Sequence, residues 1–152
     1  LNSTKSINYK AANYSGVTFI NRIMTYELNQ EQFKAVIALP DAKRFYHFIS
    51  RIVDWEEVWS LKADSGWATV ESEGRVCVPF WPHPNYAESF SKGDWHGYKP
   101  QVIYLNDFTE KWLPGLEKDN QYLAVFPNQN MQGIVVEAHR VQLAINEELE
   151  QY

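Results

Sequence analysis

A chain of 152 residues and 17.8 kDa is about one domain's worth, and 45% apolar with 22% charged side chains supplies a core without disulfides, which the single Cys77 could not form internally. The longest nearly unbroken apolar run, Val76 to Pro82, is far below the ~20 residues that cross a bilayer, so no membrane insertion is expected. All 19 acidic residues fall after position 23 and the formal net charge is −5, which opposes nucleic-acid binding; the closest basic pair, Lys43-Arg44, reads as a solvated helix face.

The opening LNSTKSINYKAANYSGVTFINRI has no apolar block of the ~7–15 residues a secretory signal needs, and its match to an organellar transit segment is poor. Met24 is the first methionine, and the composition turns acidic behind it. Met24 is therefore expected to be the biological start, with residues 1–23 an N-terminal extension and residues 24–152 a single domain.

Asn29 with Gln32 three residues on has capping-box spacing, and Phe33, Val36 and Ile37 then predict a helix over 30–39, ended by Leu39-Pro40. Asp41 caps a second helix over 42–54, whose Phe45, Phe48, Ile49, Ile52 and Val53 recur at the spacing of a buried stripe. Trp55 and Trp59 become i, i+4 neighbours if that helix runs on. From Trp59 the period falls to about two, and Glu73-Gly74 separates Trp67–Glu71 from Arg75–Phe80 as a hairpin. Pro79 places its second strand near a strand end or edge. Trp81-Pro82-His83-Pro84 breaks the strand, with His83 suited to capping or bracing the turn, and Tyr86, Ala87 and Phe90 predict a short helix ending at Gly93.

Pro100 to Leu105 reads as a strand, and Asn106-Asp107 as the cap of a helix that carries Phe108 and Trp112 and bends or ends at Pro114-Gly115. Tyr122–Phe126 and Ile134–Val136 form a second hairpin across the long loop 127–133. Val141, Ala144, Ile145 and Leu149 mark a final helix with Glu147, Glu148 and Glu150 on its solvated side. The order ααβββαβαββα calls for an α+β fold, a mixed, largely antiparallel sheet with helices packed on it. Its expected core is Phe45, Phe48, Ile49, Ile52, Val76, Val78, Val125, Val135, Leu143 and Ile145.

Four motifs in order, Ala38-Leu39-Pro40-Asp41-Ala42-Lys43-Arg44-Phe45, Asp54-Trp55-Glu56-Glu57-Val58-Trp59, Pro79-Phe80-Trp81-Pro82-His83, and Phe108-Thr109-Glu110-Lys111-Trp112-Leu113-Pro114-Gly115-Leu116 followed by Val125-Phe126-Pro127, are similar to those of the bacterial family called domain of unknown function 2750 (DUF2750). The resemblance covers about residues 25–152. It implies a small cytoplasmic bacterial protein and brings no established reaction, cofactor or catalytic residue.

Trp55, Trp59, Trp67, Trp81 and Trp95 crowd one stretch, where large rings serve either as core anchors or as a groove for a planar ligand or a partner's side chain. His83, Glu88, Asp94 and His96 are metal-donor types, but no His-Glu-x-x-His or paired Cys-x-x-Cys spacing orders them, so neither metal nor cofactor is expected. Cys77 becomes a nucleophile if His83 or His96 activates it and Asp94 orients the base, which keeps a small hydrolase-type enzyme as the rival reading. His47 and His139 read as structural, and no Gly-rich phosphate loop or Gly-x-Ser-x-Gly elbow is present.

The leading reading is a non-enzymatic cytoplasmic binding module whose acidic, Trp-bearing surface recognises a small ligand or a basic protein, as immunity proteins do by analogy. Homodimerisation is compatible with it. The expected binding edge lies between the 81–84 break and the 94–98 loop: Trp81, His83, Asp94, Trp95, His96 and Tyr98. Deleting residues 1–23 should move the melting temperature by less than ~4 °C, the shift of about 1 kcal/mol in a domain this size, and a scanning-calorimetry comparison checks it.

Overall fold

The computed structural model describes residues 26–92 and 95–152, so the expectations for residues 1–23, Met24, Gly93 and Asp94 lie outside the described residues. Helix α1, Gln30–Ile37, starts at Asn29, whose side chain accepts from the Gln32 N–H at 2.8 Å while the Gln32 side chain accepts from the Asn29 N–H at 3.1 Å. After Pro40, α2 runs Asp41–Trp55 and stops where Glu56 turns left-handed at φ +57°. That stop puts Trp55 and Trp59 on different elements instead of one helical face, because strand β1, Glu57–Ala63, begins at once.

The strands form two sheets where the sequence suggested one. Strands β2 (Gly66–Trp67), β3 (Val70–Ser72), β4 (Arg75–Phe80), β5 (Lys99–Tyr104), β6 (Tyr122–Val125) and β7 (Ile134–Val136) join β1 in the orders β2-β1-β5 and β3-β4-β6-β7. The expected α+β class and largely antiparallel character hold, with β4 and β6 as the one parallel pair among the described residues. Backbone bonds of 2.8 Å in each direction between Trp59 and Trp81 stitch the sheets together, and the Ser60 hydroxyl donates to the Pro79 carbonyl at 2.6 Å.

Helix α3, Pro84–Phe90, follows β4. After β5 the chain coils through α4 (Leu105–Asp107), a π-helical turn (Phe108–Trp112) and α5 (Leu113–Lys118). Asn106-Asp107 therefore lies inside this helical run and not at its cap, and Pro114 neither ends nor starts it. A proline ring would meet the carbonyl four residues back and has no N–H to bond it; the widened turn, in which the Leu113 N–H reaches Phe108, accommodates this. Helix α6, Ala138–Leu149, closes the fold and packs on α2 and α5.

Phe48, Ile49, Ile52, Val78, Val125 and Ile145 are buried as expected, while Phe45 and Val135 are only half-buried. Val76 is 42% exposed because β6 begins pairing with β4 only at Cys77, leaving Val76 beyond its end. Leu143 is 58% exposed, since Ala138, Val141 and Ile145 are the α6 side chains that face inward.

Arg44 overturns the solvated-pair reading. Only 3% exposed, it donates from Nε to the Phe126 carbonyl at 3.1 Å, from Nη1 to Leu39 at 2.6 Å, and from Nη2 to Gln132 at 2.9 Å and to the Asp41 carboxylate at 2.7 Å. Its apolar stem lets a cation sit in the interior, and its planar fork then satisfies three carbonyls at once. Urea unfolding should show Arg44→Met losing about 2–4 kcal/mol through stranded buried acceptors. Phe48→Ala should lose about 3–5 kcal/mol through its cavity, and Val76→Thr less than about 0.5 kcal/mol.

Candidate functional site

The turn after β4 is built around His83, which is 4% exposed. Its Nδ1 accepts from the Asn85 N–H at 3.1 Å and so caps α3, while Nε2 lies 2.8 Å from the Tyr26 carbonyl. An Nδ1 that accepts leaves the proton on Nε2, which donates to Tyr26, so the ring is the neutral Nε2–H tautomer. Burial lowers its pKa, opposed by that backbone bond. With both nitrogens engaged, His83 braces the turn.

Tyr26 stacks on it edgewise at 4.6 Å, leans on Trp55 at 4.9 Å and lies under the Arg51 guanidinium at 5.4 Å. Burial pushes the Tyr26 hydroxyl up to about 12, and Tyr86 upward as well; among the described residues neither buried hydroxyl has a hydrogen-bond partner. Sequence reasoning missed Tyr26 and Arg51, and no local pattern marks them.

Trp81 lies wholly in the interior, where its Nε1 donates to the Pro127 carbonyl at 2.9 Å. From it a series of rings runs outward: Phe90 at 5.1 Å, then Trp95 at 5.8 Å from Phe90, then Tyr98 at 5.2 Å from Trp95. Trp95 and Tyr98 are half-buried and packed against the core, joined by a turn in which the Tyr98 N–H donates to the Trp95 carbonyl at 3.0 Å. Within that turn His96 is exposed and Gly97 holds φ +93°, a conformation that a side chain would strain. His83 touches Tyr26 and Tyr86, so it belongs to a second ring cluster. Trp67 and Trp112 meet edge-on at 4.7 Å as part of the core lining, and Trp59 is half-buried on β1.

Cys77 is buried in β4 with its thiol 3.7 Å from the Arg75 carbonyl, and burial raises its pKa, which keeps it protonated. Among the described residues no three His, Cys, Asp or Glu side chains are grouped to hold a metal ion. His139 faces Glu137 at 3.3 Å and Glu117 at 3.8 Å at the start of α6, and burial lowers the His47 pKa on α2. An apolar groove of about 590 Å³, lined by none of these candidate residues except His139, opens between α2, β7 and α6. Among the described residues no helix is long and apolar enough to cross a membrane.

The family model for a protein of unknown function, DUF2750, matches residues 45–145, which is more than half of the chain. No curated protein matches it.

The lowered His83 pKa fixes a pH dependence. Below about 6.5 the unfolded chain binds a proton that the folded chain refuses, so stability present above that pH is lost as pH falls through it. Asn caps helices well and does not titrate there. Melting curves between about pH 7.5 and 5.5 should therefore fall more steeply for wild type than for His83→Asn, with His47 sustaining a residual slope.

Proposed function

The chain belongs to the DUF2750 family, and from that premise we propose that it is a non-enzymatic cytoplasmic binding module that recognises a basic protein through its Trp95–Tyr98 edge. The observation that carries this reading is the graded ring series. Trp81 is locked in the interior and Phe90 sits against it, and the two outermost rings are held against the core while a minor part of each stays accessible. Rings fixed before binding lose little entropy on contact, and Trp and Tyr combine apolar area with a polar end. His96 stands beside them as an exposed polar group, and Asp94 adjoins them in sequence. Trp81 and His83 contribute by holding the turn from within.

The formal net charge of −5 favours a cationic partner and steers its approach. The state of the nucleophile candidates supports binding over catalysis: Cys77 is protonated and bonded within its own strand, and His83 has no free nitrogen to act as a base.

The test is affinity capture from the native host with wild type, Trp95→Ala and Tyr98→Ala, followed by titration of the captured protein. Each substitution should weaken that association at least about tenfold, with a melting point within ~6 °C of wild type, and added salt should weaken wild-type binding too. Unchanged binding by both variants, or unfolding of both, would remove the edge from consideration.

A further inference from the structure

The groove between α2, β7 and α6 is a surface separate from the Trp95–Tyr98 edge and shares no lining residue with it. Its floor is Ile134 and Val136, and its walls are Phe45 and Tyr46 on one side and Leu143 and Ala144 on the other. Tyr46 at 68% and Leu143 at 58% exposure are large apolar side chains at its mouth. Water contact at two such residues beside a concave apolar surface is the pattern of a docking face.

The charges along α6 identify the occupant. Arg140, Leu143, Ala144 and Glu147 stand at i, i+3, i+4 and i+7, so they form one stripe along the helix, and all four line the groove. The stripe reads cation, apolar, apolar, anion, and its centre lies between Leu143 and Ala144. Neither Arg140 nor Glu147 has an ion-pair partner among the described residues.

A helix with this pattern is complementary to itself run backwards. We propose that the groove is a homodimer interface in which two copies of α6 cross antiparallel about a two-fold axis through the Leu143–Ala144 midpoint. Arg140 of each copy then faces Glu147 of the partner subunit, and Leu143 packs over Ala144 of the partner subunit, each contact occurring twice by symmetry. A parallel crossing would set Arg140 against Arg140 and Glu147 against Glu147, so the charges select the antiparallel arrangement. The small Ala144 side chain lets the helices approach, and the exposed Tyr46 ring is positioned to cover the seam from α2.

Sedimentation velocity on the full chain, from about 1 to about 200 µM, reads the association directly. Wild type should pass from monomer to dimer in that range. Arg140→Glu and Glu147→Arg should each dissociate the dimer at least about tenfold more readily, because each variant presents like charges at both contacts. Mixing those two variants should restore a heterodimer, since each carries the sign that the other lacks, and the double variant R140E/E147R should dimerise with itself. Both substituted positions are exposed, and circular dichroism checks that each variant is folded. A wild type that stays monomeric at the highest concentration would overturn the proposal. Equally, a dimer indifferent to both single variants, or two variants that do not rescue each other, would place any association on a different face or register.

Discussion

The backbone of Phe126 is the point to which distant parts of the chain are tied. Its N–H donates to the Phe80 carbonyl at 2.8 Å and its carbonyl accepts from Arg44, while the next carbonyl, of Pro127, accepts from the buried Trp81 indole. The residue sits at φ +52°, a left-handed conformation that costs a bulky side chain on the order of 1–3 kcal/mol. The three bonds fix that conformation, and the ring fills the space under Tyr86 at 4.6 Å. Three of the segments that resemble the family, around Arg44, Trp81 and Phe126, thus meet in one polar and aromatic knot. Their common character is architectural.

Periodicity exposed the helices of this fold because an amphipathic stripe is a local signal: Phe48, Ile49, Ile52 and Val53 could be placed inward from spacing alone. The hairpin turns were legible for the same reason, with Glu73-Gly74 supplying one in which both residues take positive φ, but the strand expected over Trp67–Glu71 divides: Trp67 pairs with β1 in one sheet and Val70–Ser72 with β4 in the other. Division of the strands into two sheets was not legible. Pairing of β1 with β5 and of β4 with β6 joins residues far apart in sequence, and no short window records which edge a strand will meet. Arg44 illustrates the limit most sharply. A basic residue in an acidic chain resembles a surface residue until the carbonyls of Leu39, Phe126 and Gln132 converge on it.

The structure of the 81–84 turn and of the 95–98 rings was legible in part. Two prolines around His83 and the glycine-bracketed aromatics marked segments whose rings are held by the chain, and His83 does cap its helix. Depth was hidden, because Trp81 and Trp95 are the same side chain to a sequence and differ only through what covers them. Tyr26 and Arg51 join the His83 cluster from outside its segment, so their contribution depends wholly on tertiary packing. The charge order along α6 was visible in the letters as a solvated acidic face, but its place at the wall of a groove was not.

The parallel pairing of β4 with β6 has a consequence for how the molecule assembles. Parallel strands need a crossover, and here that crossover contains β5, which leaves to complete the other sheet. Each sheet is therefore threaded through the connection of the other. Remove the crossover and one sheet loses β5 while the other loses its route from β4 to β6, leaving short ribbons that are marginal in water. The two closures overlap in sequence: residues 81–121 must loop back before β4 meets β6, and residues 64–98 before β1 meets β5, each at a cost in loop-closure entropy. The two sheets hold each other as a clasp does, and are not two independent layers.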